Sequence, residues 1–164
     1  MSDTQRPATP PLGLALGKVP SGLYILTARH EGRATGMLAS WVMQAGFNPP
    51  AVSVAIGVGR FVADWVASSG KFTLNQVPAG GKSFLKHFGR GFGPDDEAFE
   101  GLTLLDVDAA GPVIGGALGY LDVEVVGETK SGDHRIFVGN VVRGGVLEAA
   151  AEPFVHVRTN GMHY

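Results

Sequence analysis

Glycine and proline punctuate this chain at short intervals, and they constrain its fold more than any other feature. The 164 residues include 25 glycines and 10 prolines, which follow no collagen-like period. Glycine permits the backbone conformations of tight turns, and proline removes a backbone donor from any helix or ladder that it enters. The sequence therefore predicts a turn-rich protein that is mainly β.

Composition excludes several classes of protein. Hydrophobic residues make up 45% of the chain and charged residues 17%, which is the profile of a folded domain and not of a disordered chain. With 13 Lys and Arg against 15 Asp and Glu, the net charge is −2. A chain with this balance offers no basic field for DNA or RNA, so nucleic acid is not an expected partner.

Neither a membrane span nor a signal peptide is expected. The longest stretch without charge, Ala34 to Gly59, contains Gln44, Asn48 and two prolines, so it cannot be a single apolar membrane helix. No apolar signal segment follows the first residue, and the chain has no cysteine. The lack of cysteine excludes a disulfide scaffold, a zinc ribbon and a thiol nucleophile. We expect a soluble, cytoplasmic protein without a membrane partner.

The chain is predicted to comprise a short tail and one domain. Residues 2–11 are polar and rich in proline, with nothing to bury, so we predict that residues 1–11 form a disordered tail. The remaining residues, 12–164, are enough for one domain of ordinary size.

Hydrophobic patterns predict short strands and a few short helices within that domain. The predicted strands are Gly22 to Ala28, Thr35 to Met43, Ala51 to Ile56, Lys71 to Val77, Leu121 to Val125, Arg135 to Val142 and Phe154 to Arg158. Glu31 and Gly32 supply turn chemistry between the first two, which predicts a hairpin. The predicted helices are Leu12 to Lys18, a segment from Phe61 that stops near Gly70, and Ser83 to Phe88, and Trp65 lies on the apolar stripe of the second. These elements indicate a closed or nearly closed antiparallel barrel.

Common catalytic motifs are absent. Gly80 to Ser83 resembles the end of a phosphate-binding P-loop, but Gln76 stands where that loop needs its first glycine. No dinucleotide fingerprint follows a strand, no Gly-x-Ser-x-Gly is present, and the five histidines show no compact metal-ligand spacing. No metal site is therefore predicted.

Several side chains allow both a structural and a ligand-binding interpretation. Lys82, Lys86 and Arg90 follow one helical face, where they are either a solvated stripe or an anion site. Trp41 is either a core residue or a ligand platform. Asp133 and His134 are either part of a turn or a carboxylate that orients an imidazole toward a ligand.

Four segments in order resemble the flavin reductase-like family. They are Val19 to Thr27, Gly36 to Val42 leading to Asn48 to Pro50, Gly70 to Asn75, and Gly132 to Gly139. Within that family the chain most resembles the C-terminal flavin-reductase module of cyanobacterial diflavin flavoproteins, through Ala39 to Val42, Phe47 to Pro50, Phe84 to Phe88, His156 to Arg158 and Gly161 to Tyr164. The resemblance extends from Leu12 to Tyr164.

The resemblance implies a fold and a function. The fold is a mainly β, antiparallel FMN-binding split barrel of Greek-key-like topology with a few short helices, in a homodimer. The function is that of an NAD(P)H-dependent FMN oxidoreductase, in which FMN or FAD accepts a hydride from NAD(P)H. The alternative is a flavin-binding module that relays electrons to a protein partner and turns over little NAD(P)H itself. A barrel without flavin, used structurally, is a third interpretation.

The resemblance also implies a set of site residues. Family members bind the flavin ring beside the segment that matches Met37, Leu38, Ala39, Ser40 and Trp41. The segment of Gly57, Arg60 and Phe61 would approach the phosphate, and Asn75 and Lys82 are further cofactor candidates. His134 would contact the nicotinamide as the catalytic residue, and Asp133 would orient its ring.

Overall fold

A seven-stranded antiparallel sheet forms the body of the protein in the computed structural model, which describes residues 10–163. The helices are α1 (Pro11–Gly17), α2 (Phe61–Ser69) and α3 (Lys82–Phe88). The strands are β1 (Ser21–Gly22), β2 (Tyr24–His30), β3 (Arg33–Ala39), β4 (Val42–Phe47), β5 (Pro50–Gly57), β6 (Lys71–Gln76), β7 (Leu104–Leu105), β8 (Val113–Ile114), β9 (Gly119–Ser131), β10 (His134–Val146) and β11 (Val155–His156). Of the predicted tail, residues 1–9 lie outside the described residues, and Pro11 already begins α1.

The strand order brings two consecutive strands to opposite ends of the sheet. The order is β3-β2-β6-β9-β10-β5-β4, and every pairing in it is antiparallel. The chain passes from β3 to β4 through Ser40 and Trp41, and the carbonyl of Trp41 accepts a hydrogen bond of 3.0 Å from the Ala55 amide. The two ends of the sheet are thus joined, which confirms the predicted antiparallel barrel. Glu31 and Gly32, both at positive φ, form the predicted hairpin turn between β2 and β3.

The predicted single strand from Thr35 to Met43 is wrong in one respect. It is two strands, because the chain leaves the β3 ladder after Ala39 and joins a different neighbour, β5, from Val42. Side-chain hydropathy does not register this change of partner, since both halves are apolar. The break is important for the site because it frees Ser40 and Trp41 from ladder pairing.

The core consists of two clusters of buried side chains. Fully buried Leu74, Phe72 and Phe137 belong to the larger cluster, which also includes Val66 of α2. Phe84 and Phe88 of α3 pack with Ile25 in the second cluster. Trp65 is 9% exposed, which confirms its predicted place in the core. In the described part of the chain, no helix has the length and apolar character needed to cross a membrane.

Asn75 lies in the core and ties a loop to the sheet. Its side chain is fully buried, accepts a hydrogen bond of 2.8 Å from the Ile114 amide and donates one of 3.1 Å to the Pro112 carbonyl. Thr73 and Asp122 extend the same network, since the Thr73 hydroxyl donates to Asp122 Oδ1 over 2.9 Å. The structure therefore places Asn75 in a structural network and not beside the residues expected to hold a cofactor.

We expect Asn75→Ala to lower the free energy of unfolding by about 2 kcal/mol, because it leaves the buried Ile114 amide without its partner. The matched control is Asn140→Ala on β10, whose side chain makes no hydrogen bond within residues 10–163. Chemical denaturation of both variants measures the difference. Equal unfolding free energies for the two variants would contradict this role.

Candidate functional site

One cleft gathers most of the predicted site residues. It has a volume of about 310 Å³ and lies between the end of β3, the β5–α2 connection, the start of β10 and the segment that follows α3. A cleft of this size is at the lower end of the range for small-molecule sites. Of the predicted residues it is lined by Met37, Leu38, Ala39, Ser40, Gly57, Arg60, Phe61 and His134.

Ser40 contributes a buried hydroxyl to this cleft. The residue is 7% exposed, and its Oγ has no hydrogen-bond partner among the described residues. Buried polar atoms are nearly always hydrogen-bonded, so an unpartnered hydroxyl on a cleft wall indicates a bond to a ligand. Thr35 Oγ1 is also buried and unpartnered, but Thr35 does not line the cleft.

Arg60 contributes a free positive charge at the start of α2. It occupies the N-cap position, caps no amide with its side chain, and makes no ion pair within residues 10–163. The unpaired amides at a helix start and a cation beside them favour an anion. Arg60 also adjoins Gly91, because a Cβ on that glycine would lie 3.3 Å from Arg60 Nη1. These features fit a phosphate group.

The turn at residues 132–134 places an imidazole on the cleft wall. His134 begins β10 and pairs with Gly57 at the end of β5. Its Nδ1 lies 2.7 Å from Asp133 Oδ1, and its side chain is 15% exposed. The hydrogen bond from His134 lowers the pKa of Asp133 below its usual value, and the electrostatic attraction of His134 lowers this pKa further. Asp133 therefore stays ionised and orients the ring.

Neighbouring contacts fix this turn relative to the Arg60 loop. The Val58 amide donates a hydrogen bond of 2.7 Å to the Asp133 carbonyl. The Arg135 guanidinium lies 2.7 Å from Asp64 on α2 and 2.6 Å from Glu128 on β9. These contacts tie the start of β10 to α2 and to β9.

Four predicted residues lie outside the lining of the cleft, and one of them is Asp133, which contacts His134. Asn75 belongs to the core network described above. Lys82 is exposed at the start of α3 and does not line the cleft. Trp41 is half-buried, and its ring lies against His134 with 4.5 Å between ring centres.

Two further cleft residues, Arg90 and His156, were not among the site residues predicted from the sequence. Arg90 lines the cleft with Phe92, and its guanidinium lies 4.6 Å from the centre of that ring. The predicted helical stripe of three cations was wrong at this point, because α3 ends at Phe88 and Arg90 belongs to the following loop. His156 on β11 lines the cleft as well. It is paired with Ser21, a contact across most of the chain that no local pattern predicts.

The arrangement is suited to a flat, anionic ligand. Arg60 and Arg90 can neutralise negative charge, and the Ser40 hydroxyl and the first amides of α2 can donate hydrogen bonds. Gly57 leaves room for a ring at the end of β5, because a Cβ there would lie no closer than 3.8 Å to a neighbouring atom. The imidazole of His134 stands on the same wall, where it can contact a second ligand.

Comparison with known proteins agrees with this geometry. The family model described as the flavin reductase like domain matches residues 16–163. The chain is 36% identical to the putative diflavin flavoprotein A 3 of Nostoc sp. over 154 residues, which is 93% of this chain and 27% of that protein. It is also 36% identical to diflavin flavoprotein A 1 of Synechocystis sp. over 151 residues, covering 92% of this chain and 26% of that protein. The chain thus spans about a quarter of the length of these relatives.

Solved structures share the fold. The NADH:FAD oxidoreductase SgcE6 of Streptomyces globisporus superposes with a TM-score of 0.81 at 23% identity, covering 88% of this chain and 85% of that one. The flavin reductase PheA2 superposes with a TM-score of 0.74 at 27% identity, covering 88% and 90%. These likenesses confirm the predicted split-barrel fold. Because the family model matches residues 16–163, which is nearly the whole of the described chain, the chain belongs to the flavin reductase-like domain family.

Proposed function

We propose that this chain is a flavin reductase that binds FMN in the cleft and uses NAD(P)H as the hydride donor. The observation that carries the proposal is that one cleft contains both the buried Ser40 hydroxyl and the Arg60 guanidinium, neither of which has a partner within residues 10–163. When bound, the flavin supplies the ring that accepts the hydride. FAD is the second candidate flavin, because one structural neighbour is named as an NADH:FAD oxidoreductase.

The chain's own contribution is to bind and orient. Arg60 and the α2 amides hold the phosphate, and Ser40 donates to the ring or its side chain, beside Met37, Leu38 and Ala39. His134, oriented by Asp133, contacts the nicotinamide or its ribose. The half-buried setting of that imidazole excludes part of the solvent from the place where the two ligands meet.

A second candidate function is electron relay to a protein partner. It is supported by the relatives named diflavin flavoproteins, in which this chain matches only about a quarter of the length. A relay module would bind the same flavin in the same cleft. The two functions differ in whether free NAD(P)H and free FMN are turned over. We propose the cytoplasm as the compartment for either function.

Steady-state NAD(P)H oxidation with and without added FMN tests the proposal. A reductase consumes NAD(P)H at a rate that rises with FMN and saturates. A relay module retains one flavin per chain, but added FMN does not raise its slow NAD(P)H oxidation. A protein that retains no flavin, and whose NAD(P)H oxidation does not respond to added FMN, would contradict both functions and favour a structural barrel.

We predict that the protein is a homodimer. Large apolar side chains are strongly exposed on the single chain, with Phe47 at 89%, Val146 at 72% and Met43 at 65%, and such exposure indicates a surface covered by a partner. Light scattering should give twice the mass of 17.1 kDa, and Phe47→Ser should shift the protein toward the monomer. A mass of 17.1 kDa at every concentration would contradict the prediction.

A further inference from the structure

Three side chains from distant parts of the sequence form one stack beside the cleft. Arg158 Cζ lies 5.1 Å from the centre of the Trp41 ring, and the Trp41 ring lies 4.5 Å from the His134 ring at an interplanar angle of 47°. His134 alone of the three lines the cleft. We name this set the Arg158–Trp41–His134 stack.

The stack supplies a restraint that the hydrogen bond to Asp133 cannot supply alone. The Asp133 side chain is 93% exposed, so water competes for its carboxylate. One hydrogen bond at Nδ1 also leaves the ring free to rock about that bond. A ring packed against the imidazole blocks this motion, and a guanidinium near the indole adds a cation–π attraction.

The position of Arg158 is itself fixed by the backbone. The Arg158 amide donates a hydrogen bond of 3.1 Å to the Gly17 carbonyl, and the Gly161 amide donates one of 2.8 Å to the Gly13 carbonyl. A Cβ at Gly17 would lie too close to the Arg158 carbonyl for either to remain in place. The segment after β11 is thus closely fitted to α1 and holds Arg158 beside Trp41.

The same C-terminal segment also delivers His156 to the cleft, through the pairing of β11 with β1. Sequence reasoning left Trp41 as either a core residue or a ligand platform. In the structure its ring lies against His134, and Trp41 is not among the residues that line the cleft. An aromatic ring in this position acts on a cleft ligand only through the imidazole that it supports.

We propose that Trp41 and Arg158 are positioning residues, which hold the His134 imidazole in the orientation that receives the nicotinamide substrate. The inference rests on the proposed function for the role of His134. The contacts in the stack are independent of that function. The C-terminal residues 155–161 thereby influence substrate binding through Arg158, which does not itself touch the substrate.

Fluorescence tests the stack without any cofactor. Trp65→Phe leaves Trp41 as the single tryptophan, and an adjacent protonated imidazole quenches indole emission. We expect this emission to fall on acidification, to lose that dependence on pH in His134→Gln, and to keep it in His156→Gln. In Arg158→Met the amplitude of the change should fall, and Arg158→Lys should restore part of it. An unchanged amplitude in Arg158→Met, or dependence on His156 instead of His134, would overturn the stack.

Kinetics tests the consequence for the substrate. We expect Arg158→Met and Trp41→Leu to raise the KM for NAD(P)H about tenfold with the Kd for FMN unchanged, since contacts of this kind contribute modestly. Trp41→Phe and Arg158→Lys should recover most of the loss. A lower melting temperature with wild-type KM would overturn the positioning role. If the FMN-loaded wild type oxidises no NAD(P)H, the proposed function fails, and the positioning role fails with it. The fluorescence result can still support the contacts of the stack in that case.

Discussion

Arg60→Ala is expected to weaken FMN binding by about 1.5 to 3 kcal/mol, which is roughly one to two orders of magnitude in Kd. The guanidinium lines the cleft, makes no ion pair within residues 10–163, and stands beside the first amides of α2. A charge-assisted contact to a phosphate is lost in the variant, while no internal partner is left unsatisfied. Titration of the apoprotein with FMN, followed by flavin fluorescence, measures the change.

Riboflavin provides the sharpest control for this prediction, because it has the flavin ring and no phosphate. Arg60→Ala should leave the Kd for riboflavin unchanged. Arg143→Ala, which removes an exposed arginine paired with Asp108, should change neither constant. Equal FMN affinity in the wild type and in Arg60→Ala would remove this residue from the site.

Ser40→Ala should have a smaller effect on FMN binding, about 1 kcal/mol, because one neutral hydrogen bond is lost. Its effect on stability separates it from an ordinary buried serine. The Ser40 hydroxyl has no partner in the described structure, so its removal should leave the melting temperature of the apoprotein unchanged or higher. A lower apoprotein melting temperature would show that the hydroxyl serves the fold.

The second large effect is expected for His134→Ala, which should slow reduction of bound flavin by NAD(P)H about 100-fold. The imidazole lines the cleft, is held by Asp133 at 2.7 Å and belongs to neither core cluster, so its loss removes mainly the proposed substrate contact. FMN affinity and the melting temperature should remain close to those of the wild type. Asp133→Asn should show a smaller defect of the same kind, since the ring remains but its orienting charge is gone.

Stopped-flow reduction under anaerobic conditions measures this rate directly. His87→Ala is the matched control, because His87 lies outside the cleft lining and its Nε2 is 2.9 Å from the Ala98 carbonyl oxygen. That control should lower stability and leave the reduction rate intact. A wild-type rate and wild-type dependence on NAD(P)H in His134→Ala would exclude His134 from the substrate site.

The barrel was predictable because most of its elements have local signals. Alternation at residues 121–125 predicted part of β9, and Glu31 with Gly32 predicted the first hairpin. Local signals failed where the chain changes its neighbouring strand and where charged residues interrupt the apolar pattern of a strand. The chain changes partner at Ser40, and β9 continues through Glu128 and Lys130 because β10 pairs with it along that whole length.

The site was predictable only where its residues lie in short segments that resemble the family. The resemblance led to Met37 through Ser40, Gly57, Arg60 and His134, which the fold brings to one cleft. It could not separate Asn75, whose amide is satisfied by a loop 37 and 39 residues away, from a residue that holds a ligand. Arg90 and His156 enter the cleft through loop geometry and through a β1–β11 pairing that no short motif encodes.

The central claim is that the cleft binds a flavin that NAD(P)H can reduce, and one spectroscopic measurement tests it most directly. Purified protein is mixed with FMN and desalted, and its absorption spectrum is recorded before and after anaerobic addition of NADH or NADPH. The account predicts one retained flavin per chain, whose visible absorption is bleached by at least one of the two donors. Retention of no flavin, or a retained flavin that neither donor bleaches, would contradict it.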